Sequence, residues 1–163
     1  TEIYTLSLHD ALPISGGRLL NIMCGSGTLL AEIDDAETKA LGCDLNPEAL
    51  LGARANLQAA AQDASLWQAS SAFLPISQNS IDAVVADMPW AQMVGVSSEM
   101  GDLYADSLKE IHRVLKKGCR LVIITQLKKQ FLEALDRSGW RIIEKVDLKY
   151  NRVNPAIFVL ERL

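Results

Sequence analysis

Three short stretches carry residue types that chemistry can use, and each lies where an apolar run gives way to polar residues. The first is Asn21-Ile22-Met23-Cys24-Gly25-Ser26-Gly27-Thr28. Two glycines one residue apart permit a tight turn and let backbone N–H groups approach a ligand closely. The dinucleotide fingerprint G-x-G-x-x-G is incomplete, because Leu30 stands where its third glycine would fall. The second stretch is Gly42-Cys43-Asp44-Leu45-Asn46, in which Asp44 follows Gly25 by 19 residues. A carboxylate at that spacing can accept both hydroxyls of a ribose. Asp44 could instead cap the next helix, but Asn46 before Pro47 already fills that place. The third stretch is Asp87-Met88-Pro89-Trp90, directly after the apolar run Ile81–Ala86. Proline fixes the turn and removes a donor, so carbonyls just before it can face a cleft. Asp87 and the Met88 carbonyl can then accept hydrogen bonds from an NH₂ group, and Trp90 offers a flat face for a base. The plain alternatives are a strand-to-helix turn for the first stretch and a turn with a core tryptophan for the third.

Elements that would position these residues alternate short apolar runs with helical periodicity. That pattern predicts βαβ units and an α/β fold with a mainly parallel sheet. Strands are expected at Arg18–Met23, Leu41–Asp44, Leu66–Gln68, Ile81–Ala86 and Arg120–Thr125. Helices are expected at Thr28–Asp34, from Pro47 to about Gln62, at Asp102–Lys116 with Gly118 as its stop, and at Lys129–Ser138. Trp140–Leu148 and Ala156–Glu161 read as two closing strands that form an antiparallel hairpin.

The chain has 163 residues, 49% hydrophobic and 22% charged, which is the composition of one globular domain. Its formal net charge of −4 is a poor footprint for a free-standing nucleic-acid binder. Cys24, Cys43 and Cys119 form no C-x-x-C pair, so neither a disulfide framework nor a zinc or other metal site is indicated, and a reduced, cytoplasmic protein is expected. No apolar run approaches the roughly 20 residues of a membrane span. Thr5–Ile14 reads as a translated sequencing-adapter primer, so Thr1–Ser15 is set aside as non-native and the domain is taken as residues 16–163. Without Glu2 and Asp10 the count is 16 basic against 18 acidic residues, net −2. On this reading the native protein continues upstream of Gly16.

The set MCGSGT, GCDLN, LPISQNSIDAVVADMPW and LKEIHRVLKKGCRLVIIT resembles the catalytic domain of THUMP-domain RNA guanine-N2 methyltransferases, from Gly16 to Leu163. The resemblance implies a Rossmann-like class I methyltransferase fold with a seven-stranded, mostly parallel sheet. It implies S-adenosylmethionine as cofactor and methyl transfer to an exocyclic amine, guanine N2 in tRNA or another structured RNA. Asn21, Met23, Cys24, Gly25, Ser26, Gly27 and Thr28 would then surround the methionine portion. Asp44, Leu45 and Asn46 would hold the ribose side, and Ser70, Ser71 and Ala72 the adenine. Asp87, Met88, Pro89 and Trp90 would form the catalytic loop. Lys128 and Lys129 follow the fifth strand at the ligand-binding edge and are the candidate RNA contacts. An upstream RNA-binding domain would supply most of the phosphate affinity.

The chain departs from the family pattern at three places: Asn21-Ile22 replaces Asp-Pro, Ser70 replaces an aspartate, and Ala91 replaces a glycine. Two other readings therefore stay open. One is an amine methyltransferase acting on adenine N6 or protein glutamine, although those groups more often carry Asn-Pro-Pro-Tyr. The other is a SAM-binding module without turnover. Of the remaining side chains, Cys24 reads as packing beside the turn, His112 as a surface or partly buried mid-helix residue and Trp140 as core, while Trp67 packs either under the adenine or in the core.

Overall fold

The computed structural model describes residues 16–33, 35–89, 97–135, 139–149 and 153–163. Seven strands, β1 (Arg18–Ile22), β2 (Lys39–Asp44), β3 (Ala64–Gln68), β4 (Ile81–Asp87), β5 (Leu115–Thr125), β6 (Trp140–Asp147) and β7 (Ala156–Arg162), form one sheet in the order β3-β2-β1-β4-β5-β7-β6. The first five strands pair in parallel, and β7 runs antiparallel to both β5 and β6. Four described helices cover the faces: α1 (Thr28–Ala31), α2 (Pro47–Ala59), α3 (Ser97–Val114) and α4 (Lys128–Leu135).

Both faces of the central strands are buried, which explains their unbroken apolar runs. Leu20, Ile22, Val84, Ala86, Leu121 and Ile123 face one cluster, completed by Tyr104 and Leu108 of α3 and Phe131 of α4. Leu19, Val85, Val122 and Ile124 face the other, with Leu29 and Leu30 of α1 and Leu50 and Leu57 of α2. Each such Leu or Ile contributes about 1.5–3 kcal/mol when fully removed from water. At Gly42 there is little room beside β2 for a side chain. A Cβ there would lie 2.7 Å from both Leu30 Cδ1 and Leu66 Cδ2, too close for either to remain in place.

Two expectations need correction. Helix α3 begins before Asp102, at Ser97, because Met100 is 1% exposed and packs into the core a turn earlier than the sequence pattern suggests. Gly118 does not stop that helix. The helix ends at Val114 and β5 begins at Leu115, with the β4–β5 register jumping from Ile81↔Leu115 to Ala83↔Arg120. One residue of β4, Asp82, thus stands opposite four of β5, and Lys116–Cys119 bulge out of the ladder. β6 is a largely exposed edge strand, paired among the described strands with β7 alone. The expected Thr1–Ser15 segment, Trp90 and Ala91 lie outside the described residues.

Candidate active site

The strand order reverses direction at β1 and β4, so the crevice beyond their carboxyl ends is where ligands bind in sheets of this kind. Asp44 ends β2, the glycine turn follows β1, and Asp87 ends β4. In register, Ile22 lies beside Cys43 on one side and Ala86 on the other. Asp44 and Asp87 therefore flank the turn from opposite sides, two strand spacings or roughly 10 Å apart.

Asp44 is held by two backbone donors. The Gly25 N–H donates to its Oδ2 at 2.8 Å and the Asn46 N–H to its Oδ1 at 2.8 Å. Asp44 is thus not merely freed by the neighbouring cap, since it stitches the end of β2 to the glycine turn. A carboxylate has about four acceptor positions, so two bonds leave room for hydroxyl donors. Asn46 caps α2 as expected, accepting from Glu48 N–H at 2.9 Å ahead of Pro47 in the first turn. Leu45, between them, is 67% exposed, and Phe73 across the same edge is 78% exposed.

The glycine turn is pinned from behind by α2. Gly27 has φ +76°, and a Cβ on it would sit 3.1 Å from Ala53 Cβ. The Asn56 amide donates to the Ser26 carbonyl at 2.9 Å. Met23 also holds a positive φ of 50°, as Ala61 and Asn79 do in turns elsewhere. Ser26 and Thr28 are exposed at the turn, with hydroxyls 3.3 Å apart. Cys24 is buried, and burial, with the Asp44 charge behind it, pushes its thiol up to about 12. It stays a neutral packing group near pH 7, not a nucleophile. Asn21 is 1% exposed, and its amide donates to the carbonyls of Ile22 and Val85. Those two acceptors fix the amide orientation and leave Oδ1 buried without a hydrogen-bond partner.

The β3–β4 connection is organised by α3. Glu110 accepts the Leu74 N–H at 2.7 Å, and Arg113 donates to the carbonyls of Leu74 and Ile76. The Arg113 guanidinium bonded to Glu110 holds that carboxyl below its ordinary range. Within this connection Ser70 Oγ accepts the Ala72 N–H at 3.2 Å and remains half-buried. Ser71 is turned inward, its hydroxyl 2.8 Å from that of buried Ser107. Of the two serines Ser70 is the less buried. Asp87 is half-buried, whereas the Met88 side chain is 1% exposed in the core and its N–H donates to the Ile124 carbonyl at 2.9 Å. On the far side, Lys128 is paired with Asp147 at 2.6 Å. Lys129 lies 3.9 Å from Glu133 and is 85% exposed, so it is the more available cation of the two. His112 stacks edge-on against Trp140 at 5.5 Å, away from these strand ends. Among the described residues no group of three or more His, Cys, Asp or Glu could hold a metal, and no helix is long and apolar enough to cross a membrane.

This sheet order, with a glycine turn after β1 and an acidic residue ending β2, defines the class I methyltransferase fold. The chain superposes on TrmN from Thermus thermophilus with a TM-score of 0.88 at 24% identity, covering 99% of this chain and 48% of that one. Residues 31–155 match the UPF0020 family, described as an RMKL-like methyltransferase domain, and the chain belongs to that family. It is 35% identical over 92 residues to the tRNA (guanine(6)-N(2))-methyltransferase THUMP3 of Bos taurus, covering 55% of this chain and 18% of that protein. It is 32% identical over 114 residues to the U6 snRNA (guanine-N(2))-methyltransferase THUMPD2 of Mus musculus, covering 68% of this chain and 21% of that protein. The chain thus spans about a fifth of the length of these two mammalian relatives.

Sequence reading missed Asn56, Ser107, Tyr104 and Thr125. Each bonds a residue from a distant segment, and nothing local in the sequence marks it.

Proposed function

We propose that this chain is the catalytic domain of an S-adenosylmethionine-dependent methyltransferase that modifies guanine N2 in RNA. The observation that carries this reading is Asp87-Met88-Pro89 at the end of β4, one strand from the glycine turn, in a member of this methyltransferase family. The residues present fit the cofactor. Asp44 keeps acceptor capacity for ribose hydroxyls, Leu45 offers exposed apolar surface beside it, and the Asn21 Oδ1 is an unpaired acceptor at the root of the turn. When bound, S-adenosylmethionine supplies an electrophilic methyl group on a sulfonium. The chain's own residues then act on the amine. Guanine N2 is a weak nucleophile because its lone pair is delocalised into the ring. Asp87 and the Met88 carbonyl accept hydrogen bonds from its two N–H groups and favour a pyramidal nitrogen with the lone pair free. Positioning and electrostatics dominate, and Asp87 need not be a strong base because the methylated nitrogen is itself acidic.

The relatives named for guanine-N2 methylation favour this target over adenine N6 or protein glutamine, and Asp87 in place of an asparagine agrees. The test is transfer of labelled methyl from S-adenosylmethionine to total tRNA and small nuclear RNA, followed by nucleoside analysis. N2-methylguanosine is the expected product. Label in N6-methyladenosine would redirect the reading, and cofactor binding with no transfer to any RNA would favour a module without turnover.

The reading includes RNA recognition largely by a domain upstream of Gly16, in a cytosolic protein whose cysteines stay reduced. This chain is net −4, and Lys128 is already paired with Asp147. The isolated chain is therefore expected to bind tRNA weakly, with a salt slope equivalent to about one or two phosphate contacts. Filter binding between low and moderate salt checks this, and tight, steeply salt-dependent binding would contradict it.

A further inference from the structure

The β4–β5 ladder ends at the bond from Met88 N–H to the Ile124 carbonyl. Pro89, next in the chain, has no N–H with which to continue it. A further hold on Pro89 comes from the opposite side. The Tyr104 hydroxyl of α3 lies 3.3 Å from the Pro89 carbonyl and 2.8 Å from Thr125 Oγ1. Thr125 Oγ1 also accepts the Leu127 N–H at 3.0 Å.

Donor and acceptor chemistry fixes the direction of this chain. A carbonyl only accepts, so Tyr104 spends its one proton on Pro89. Thr125 must then donate to Tyr104, and its own oxygen accepts from Leu127. Every hydroxyl is satisfied, and the chain runs from the Leu127 backbone, at the start of α4, to the Pro89 carbonyl. Cooperative polarisation strengthens its last link. Tyr104 itself is 0% exposed, with its ring edge-on to Phe131 at 6.3 Å, and Phe131 is tilted against Phe158 at 4.7 Å. A phenylalanine would fill that space equally well. The hydroxyl is the only part of Tyr104 that packing does not explain, and burying it is costly unless it is bonded. Burial and the Asp87 charge raise the Tyr104 hydroxyl above its ordinary range, which favours the protonated, donating form.

We propose that Tyr104 is a positioning residue: through the Thr125–Tyr104–Pro89 chain it fixes the Met88–Pro89 peptide so that the Met88 carbonyl and Asp87 are aimed at the amine. The Met88 N–H bond holds the peptide before that unit and the Tyr104 hydroxyl the carbonyl after it, so the unit is clamped from both flanks. This rests on the methyl-transfer reading of the same site. It adds a residue on α3 that touches neither cofactor nor substrate, yet governs the transfer step.

The test compares Tyr104→Phe with Thr125→Val in the full chain. Tyr104→Phe is expected to lower kcat for RNA methylation about tenfold, with the S-adenosylmethionine Kd and RNA KM unchanged. Thr125→Val, which leaves the Tyr104 donor in place, is expected to lower kcat less. The carbonyl ¹³C resonance of Pro89 reads the bond without any turnover and is expected to move upfield in Tyr104→Phe. An unmoved Pro89 resonance overturns the proposal. So does a parental kcat, or a cofactor Kd that weakens in step with kcat, which would mark general loosening of the fold. A parent chain that methylates no RNA sinks the transfer reading, and the Pro89 resonance then decides by itself whether the hydrogen-bond chain exists.

Discussion

Asp87→Asn is expected to reduce methyl transfer by roughly a hundredfold or more while leaving S-adenosylmethionine affinity within about threefold, the scale of losing one oriented transition-state group. Position makes the two effects separable. Asp87 is the last residue of β4, paired with Ile124 of β5 and one strand from the glycine turn. Asp44 stands on the other side of that turn. A change at Asp87 therefore acts where the amine would sit and leaves the ribose side intact. The amide keeps the size and one acceptor but loses the charge that stabilises a nitrogen becoming positive. It also brings an NH₂ donor where the substrate's own N–H groups must point. Single-turnover rates with saturating cofactor, together with calorimetric titration, measure both quantities. Transfer at the parental rate would remove Asp87 from the reaction and strengthen the reading of a binding module.

The opposite pattern is expected for Asp44→Ala: weaker cofactor binding by roughly 1.5–3 kcal/mol, or about 10- to 150-fold in Kd, from the loss of charged-acceptor hydrogen bonds. The structure adds a second consequence. The methyl side chain also strands the Gly25 and Asn46 N–H groups, which both bond this carboxylate at 2.8 Å. Because Asp44 is only half-buried, water can replace part of that loss, and a stability decrease of about 1 kcal/mol is expected. Asp44→Asn does not spare the site, since its NH₂ would face one of two backbone donors. Denaturant unfolding and cofactor titration on the same preparation separate the two effects. An unchanged Kd would remove Asp44 from the binding site, whatever happened to stability.

Much of this site is local in the chain, and that part is legible without a structure. A strand that ends in Gly-x-Gly, a carboxylate 19 residues further on, and Asn46-Pro47 opening a helix are all short-range patterns. Each works through backbone geometry or capping within a few residues, so the residue types alone reveal it. The parallel core strands were legible for a similar reason, as burial on both faces leaves an unbroken apolar run. Local patterns served less well at α3, where packing of Met100 extends the helix past Gly101, and at the start of β5, where Lys116–Cys119 leave the ladder.

What the sequence by itself determined was the set of strand ends and the chemistry each one carries: acceptors at Asp44 and Asp87, and a close backbone turn at Gly25–Gly27. Tertiary structure alone decided which of the remaining polar groups are available to that chemistry. Ser71 and Ser107 are 36 residues apart and meet across α3, which takes the Ser71 hydroxyl out of the crevice. Lys128 meets Asp147 across 19 residues, and Tyr104 meets Thr125 across 21 and Pro89 across 15. A hydroxyl or ammonium looks the same in the sequence whether it is free or committed. Its partner is chosen by strand order and helix packing, which bring distant segments within the 3 Å or so that a hydrogen bond requires.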